Sequence, residues 1–304
     1  MLIGVPCRVR VPLGDLPWLM TSGYRLVHVG QSAATLAPAR PAPPADKLLA
    51  ITGARRGLVP GGICVPDDDA FDALRARLAS VPVGGSIDLS PWRFAPPLEV
   101  AEVDLRLRPL AILPDAVRRL LLMLDRPSVA DPARLVPMDP RPFRALAGPL
   151  TRAALTGDHR LVTDLARSLV GAGPGATPTG DDVLVGVLAG LDAATGVLLP
   201  ASTALRARGA VQAALPRLLH RTTAPSGQVL AAAVDGQFGE HVHRLAGALT
   251  DPDAVPGAVD AARAWGATSG VDLASGMAMA LASLCHLAET SSAALVTTQH
   301  RRSA

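Results

Sequence analysis

A chain of 304 residues, 49% hydrophobic and 18% charged, is long enough for one large or two smaller domains and too apolar to be disordered. Its net charge of +3 rests on scattered arginines: Arg55-Arg56, Arg118-Arg119 and Arg301-Arg302 stand far apart, Lys47 is the single lysine and aromatics make up 3%. A nucleic-acid surface needs clustered charge and, often, stacking rings, so no nucleic-acid partner is expected.

The first third reads as β-rich. Short apolar runs, Leu2–Val5, Tyr24–Val29, Leu48–Ile51, Gly62–Val65, Ser86–Leu89 and Val103–Leu107, are broken by turn residues at Pro41–Pro44, Val59–Gly62 and Val83–Gly85. Asp69–Ala79 is the one helix expected here, with Leu74 and Leu78 on one face and Asp67-Asp68-Asp69 as its cap. His28 sits in a strand-like run and reads as structural. From Pro114 the pattern turns helical: Asp115–Leu124, Phe143–Leu155, and His159–Val170 with Leu161, Leu165 and Leu169 as its stripe and Gly171 as C-cap. Thr203–His220 should break at Pro216, followed by Gln228–Val234, Phe238–Leu249, Ala258–Trp265 and a last, largely apolar helix from Gly270 to about Ala288. The fold class expected is α+β: a β-rich, barrel-like N-terminal domain over 1–112, a mainly α-helical C-terminal domain over 113–290 with a glycine-rich loop, and a fraying polar tail over 291–304.

Cys7, Cys64 and Cys285 form no C-x-x-C pair and read as buried thiols of a reducing compartment. The N-terminus, Met1-Leu-Ile-Gly-Val-Pro-Cys-Arg8, has no charged n-region followed by an apolar run. The longest uncharged apolar segment, Leu273–Ala288, is shorter than the roughly 20 residues of a membrane span, so the expectation is a soluble cytoplasmic protein with no membrane partner.

The densest chemistry lies in Gly171-Ala-Gly-Pro-Gly-Ala-Thr-Pro-Thr-Gly-Asp-Asp182. Glycines let a ligand approach the main chain, Pro174 and Pro178 stiffen the loop, and Thr179 is placed to cap a helix starting at Gly180, with Asp182 as in a capping box. Such a loop at a helix N-terminus presents N–H groups to a phosphate or carboxylate. Asp181 and Asp182 add negative charge there, so a cation such as Mg²⁺, an arginine, or a ligand with N–H donors must offset them. No Walker loop, H-E-x-x-H, nucleophile elbow or Cys/His zinc spacing occurs.

The loop has an echo: Thr179-Gly-Asp-Asp182 against Ser269-Gly-Val-Asp272, and Gly175-Ala-Thr177 against Gly266-Ala-Thr268. Two helix caps would explain both. A third constellation, His220-Arg-Thr-Thr-Ala-Pro-Ser226, offers a guanidinium able to clamp a carboxylate or phosphate, or equally a polar loop with Ser226 as cap. His241 and His243, two apart beside Glu240, point to different helix faces and read as a solvated surface rather than a metal pair.

These motifs resemble a bacterial domain family that includes the AllH-type subunit of oxamate carbamoyltransferase. Gly-x-Gly-Pro-Gly-x-Thr-Pro-x-Gly-Asp-Asp over Gly171–Asp182 looks like the family signature, and Arg221-Thr-Thr-x-x-Ser226 and Gly266-x-Thr-x-Gly-x-Asp272 are similar to its later blocks. The resemblance covers about 110–290. It implies a subunit, encoded with purine and allantoin catabolism genes, of an enzyme converting oxalurate and phosphate to carbamoyl phosphate and oxamate, alongside FdrA-like and other subunits. The site then combines Gly173, Gly175, Thr177, Thr179 and Gly180 with Thr222, Thr223, Ser226, Thr268, Ser269 and Asp272 for ligand binding. Asp181, Asp182 and Arg221 would be catalytic, with Asp181 and Asp182 as the Mg²⁺ ligands if a metal takes part. The competing readings are a non-catalytic assembly subunit and a Mg–nucleotide enzyme of small molecules.

Overall fold

The structure, a computed structural model, describes residues 8–14, 23–31, 33–39, 47–89, 99–125 and 138–302, the last twelve by backbone alone. The strand expected at Leu2–Val5, the turn at Pro41–Pro44 and Cys7 lie outside the described residues. The chain divides into two compact units, Met1–Arg106 with Gln237–His241, and Leu107–Gly236 with Val242–Ala304.

In the first unit, seven strands form one mixed sheet: β1 (Arg8–Pro12), β2 (Tyr24–Val29), β3 (Ala33–Pro38), β4 (Leu49–Gly53), β5 (Gly62–Val65), β6 (Ser86–Ile87) and β7 (Glu99–Val103). Their order is β6-β2-β3-β4-β5-β1-β7, with the β4–β5 and β1–β7 pairs parallel and the other pairs antiparallel. Alternation places Tyr24 and Leu26 of β2 and Ala34 and Leu36 of β3 in the core, whereas β5 at Gly62-Ile-Cys-Val65 is buried throughout. Helix α1 (Asp68–Ala79) adds Phe71, Leu74 and Leu78 to that core, and the Asp67 carboxylate caps it by accepting from the Asp69 and Ala70 N–H groups.

The sheet is open, which corrects the barrel-like expectation. Closure needs the two end strands to pair, and β6 and β7 stand at opposite ends of the order. The strand expected at Val103–Leu107 lies earlier: β7 ends at Val103, and the Asp104 carboxylate accepts from the Arg106 N–H at 3.0 Å as the chain turns out of the sheet. Gln237–His241 belongs to this unit through Phe238 N–H to the Leu105 carbonyl at 2.9 Å and Glu240 N–H to the Leu58 carbonyl at 2.9 Å. The Glu240 carboxylate accepts from Arg10 Nη1 at 3.0 Å and from the Leu58 N–H at 2.8 Å, and His241 and His243 are half-buried, so this stretch is not the solvated face expected.

The second unit is helical: α2 (Pro114–Asp125), α3 (Arg141–Ala145), α4 (Ala147–Thr156), α5 (His159–Leu169), α6 (Thr179–Ala193), α7 (Ala201–Ala214), a 3₁₀ turn (Pro216–Arg221), α8 (Ala224–Val234), α9 (Glu240–Ala248), α10 (Val255–Arg263) and α11 (Ser269–Arg302). The stripe of α5 is Val162, Ala166 and Leu169, and Leu161 is exposed; the buried face is rotated by one residue from the expected one. α11 does not stop near Ala288, and its backbone stays helical through Arg302.

α6 is buried from Thr179 to Leu191, the position an all-round apolar helix takes. It packs against α11 backbone to backbone. A Cβ at Gly186 would lie 2.0 Å from the Leu273 carbonyl oxygen, and one at Gly276 2.1 Å from that of Val183. These glycines forgo helix propensity and gain the close crossing. Ser269–Thr290 is long and apolar enough to cross a membrane, longer than Leu273–Ala288 implied, yet 61% of its most apolar window is buried within the protein.

Candidate functional site

The site begins where α5 ends. Val170 caps the helix and Gly171 follows at φ 75°, where a Cβ would sit 2.3 Å from the Arg221 carbonyl oxygen. Both the backbone angle and the contact require glycine. The loop then bends through Gly173 and Gly175 at φ 116° and 97°. α6 starts at Thr179, one residue earlier than expected, with Pro178 as its N-cap. The Pro178 carbonyl accepts from the Asp181 and Asp182 N–H groups at 3.0 and 3.2 Å, so buried Thr179 is the first helical residue rather than the cap. The Gly180 N–H is also committed, donating to the Ala172 carbonyl at 2.8 Å. The N–H groups of Gly173, Gly175, Ala176 and Thr177, by contrast, donate to no protein acceptor among the described residues.

Asp181 is 1% exposed and fully engaged. Its Oδ1 accepts from the Gly171 N–H at 2.9 Å, and its Oδ2 accepts from Ser226 Oγ at 2.7 Å and from Thr222 Oγ1. Thr223 caps α8 through the Ser226 N–H and donates its hydroxyl to the Ala176 carbonyl, so the 222–226 segment is fastened to the glycine loop at two points. The cap of α8 is therefore Thr223 and not Ser226.

Asp182 turns elsewhere. Its carboxyl feels the hydroxyls of Ser269 and Thr177, which are hydrogen-bonded to each other at 2.8 Å, while its Oδ2 is buried without a partner among the described residues. Burial pushes this carboxyl well above the ordinary carboxylate range; the Ser269 hydroxyl opposes the shift, and the charges of Asp272 and Asp181 reinforce it. Asp272, with no exposed surface, accepts from Arg144 Nε at 2.6 Å through Oδ1, and its Oδ2 is also without a partner among the described residues. Its N–H returns to the Thr268 carbonyl at 2.9 Å, and Gly266 precedes it at φ 74°.

The structure thus gathers Gly171–Asp182, Thr222–Ser226 and Thr268–Asp272. It places Arg221 apart from the carboxylates: its guanidinium is exposed and donates to the Arg167 carbonyl at 3.1 Å, near the C-terminal end of α5. The cation that does meet a carboxylate is Arg144 of α3, which no motif marks in the sequence. Among the described residues no three His, Cys, Asp or Glu side chains form a group able to hold a metal ion, so Asp181 and Asp182 receive no geometric support as a Mg²⁺ pair.

No curated protein and no solved structure matches the chain. Residues 169–281, running from the last turn of α5 through the loop, the 222–226 segment and the Asp272 turn, match the family model described as oxamate carbamoyltransferase subunit AllH, and over that segment the resemblance is shown.

Proposed function

We propose that this chain is a subunit of an oxamate carbamoyltransferase-like enzyme of the cytoplasm, and that its Gly173–Thr177 loop holds the anionic part of the ligand. The observation that carries this reading is the run of uncommitted N–H groups at Gly173, Gly175, Ala176 and Thr177, inside the segment that matches the family. Convergent backbone donors hold phosphate or carboxylate without a side-chain cation, and the adjacent N-terminus of α6 adds its dipole. In the reaction, a phosphate oxygen attacks the carbamoyl carbon of oxalurate, the bond from that carbon to the oxamate nitrogen breaks, and the nitrogen takes up a proton. The products are carbamoyl phosphate and oxamate. The loop donors stabilise charge on the phosphate, and Arg221, exposed beside the loop, adds a positive field. FdrA-like and other subunits complete the assembly.

The test is thermal unfolding of the purified chain with phosphate, carbamoyl phosphate and oxamate, since a ligand of the native state raises the midpoint by mass action. A rise with carbamoyl phosphate or oxamate that is lost in Ala176→Pro, which removes one loop donor, supports the reading. No rise with any of the three overturns it and leaves an assembly role.

A further inference from the structure

The first turns of α6 and α11 are built alike. Gly180 and Gly270 each press against the end of the preceding helix, where a Cβ would lie 2.0 Å from the Leu169 or the Ala262 carbonyl oxygen. Further along, Gly186 meets Leu273 and Gly276 meets Val183, a reciprocal exchange between equivalent positions. The crossing therefore has local two-fold character, as in a self-complementary interface. Asp182 and Asp272 hold equivalent places in the two turns, and the charge of one acts on the other.

Each of these carboxyls has one bare oxygen. Asp182 lies near the bonded hydroxyls of Ser269 and Thr177, Asp272 accepts from Arg144 Nε through Oδ1, and both Oδ2 atoms are buried with no partner among the described residues. Buried acceptors of this kind are destabilising, and a folded protein that keeps two of them in equivalent helix turns is expected to supply a donor from elsewhere. We propose that Asp182 Oδ2 and Asp272 Oδ2 form the recognition point for the primary-amide or ureido end of the ligand, whose N–H₂ group donates to them. The inference rests on the reading that the neighbouring loop holds the anionic end of the same molecule. The loop's last hydroxyl, Thr177, already reaches Ser269 beside Asp182.

The surrounding charges favour an uncharged N–H donor. Arg144 from α3 offsets Asp272, Asp181 on α6 is saturated by Gly171, Thr222 and Ser226, and burial favours the neutral form of Asp182. An ammonium ion would find little net negative charge here. A divalent cation would find no third carboxylate, histidine or cysteine here among the described residues.

Calorimetric titration of the whole chain with oxamate, pyruvate and phosphate tests this. Pyruvate keeps the carboxylate and carbonyl of oxamate and replaces N–H₂ by methyl. Oxamate is expected to bind at least about tenfold tighter than pyruvate, the effect of leaving a buried acceptor unpaired. Asp272→Asn should bring the two within about twofold of each other while phosphate binding persists. Because that variant also breaks the Arg144 pair, Asp182→Ala, which removes both acceptor oxygens and leaves that pair intact, serves as the second and should narrow the ratio likewise. Equal binding of oxamate and pyruvate, or binding of phosphate without oxamate, overturns the inference and leaves the anion loop standing. Binding of none of the three overturns both.

Discussion

Asp181 and Asp182 are sequence neighbours with opposite tasks, because successive helix positions point about 100° apart. Asp181 is a fastener: Asp181→Ala would strip the acceptor from the Gly171 N–H, Thr222 and Ser226 together. A loss of about 2–4 kcal/mol in urea unfolding is expected, with the denaturant slope unchanged. Asp182 is a buried group held toward its neutral form. Since its folded-state pKa is raised, its contribution to stability is full below the unfolded value of about 3.9 and is lost as pH rises through the folded one. Asp182→Asn carries no such ionisation. The wild type should therefore lose stability relative to this variant as the pH is raised from about 4 to 8, and a pH-independent difference would count against the assignment. The carboxylate pair was legible in the sequence because two acids at a helix start after a glycine loop are conspicuous. Their division of labour was not, since it depends on hydroxyls at Thr222, Ser226 and Ser269 that come from distant turns. Arg144 was illegible for the same reason: one arginine on a five-residue helix carries no periodic or motif signal.

At the scale of elements, the α6–α11 crossing is set by sterics. Gly186→Ala would drive a methyl group into the Leu273 carbonyl, 2.0 Å away, with backbone on both sides and no side chain to yield. A loss of about 3 kcal/mol in thermal or denaturant unfolding is expected. Gly209 in α7 is the control: a Cβ there meets nothing within 4 Å, and Gly209→Ala should gain about 0.5–1 kcal/mol from helix propensity. Equal effects at the two positions would refute the packing account. The glycines inside α6 could be read from sequence as a sign of close packing, because nothing else offsets their cost in a helix. The helix break at Pro216 was equally legible, as α7 ends at Ala214 and a 3₁₀ turn takes over. Strand β3 was missed because Ala-Ala-Thr-Leu-Ala-Pro has little β propensity; its place comes from pairing with β2 and β4.

For the whole molecule, the change from β to α pattern near Pro114 was visible as a change of period, but the return of Gln237–His241 to the sheet-bearing unit was not. That return depends on Phe238 and Glu240 finding Leu105, Leu58 and Arg10, contacts far apart in sequence. It also separates stability from binding. Arg144, the glycine loop, the 222–226 segment and the Asp272 turn all belong to the second unit, so a Leu107–Ala304 fragment holds every residue assigned to the ligand. The same fragment strands Phe238, 1% exposed in the whole chain, and leaves Glu240 without Arg10 and the Leu58 N–H. The expected result is a fragment with a lower unfolding midpoint than the full chain that still shows a rise with phosphate. Glu240→Gln in the full chain should reproduce part of the loss in midpoint without touching the phosphate response, because a neutral amide is a weaker partner for the Arg10 guanidinium. A fragment that folds, measured by circular dichroism, yet no longer responds to phosphate while the full chain does, would show that residues before Leu107 contribute to the site.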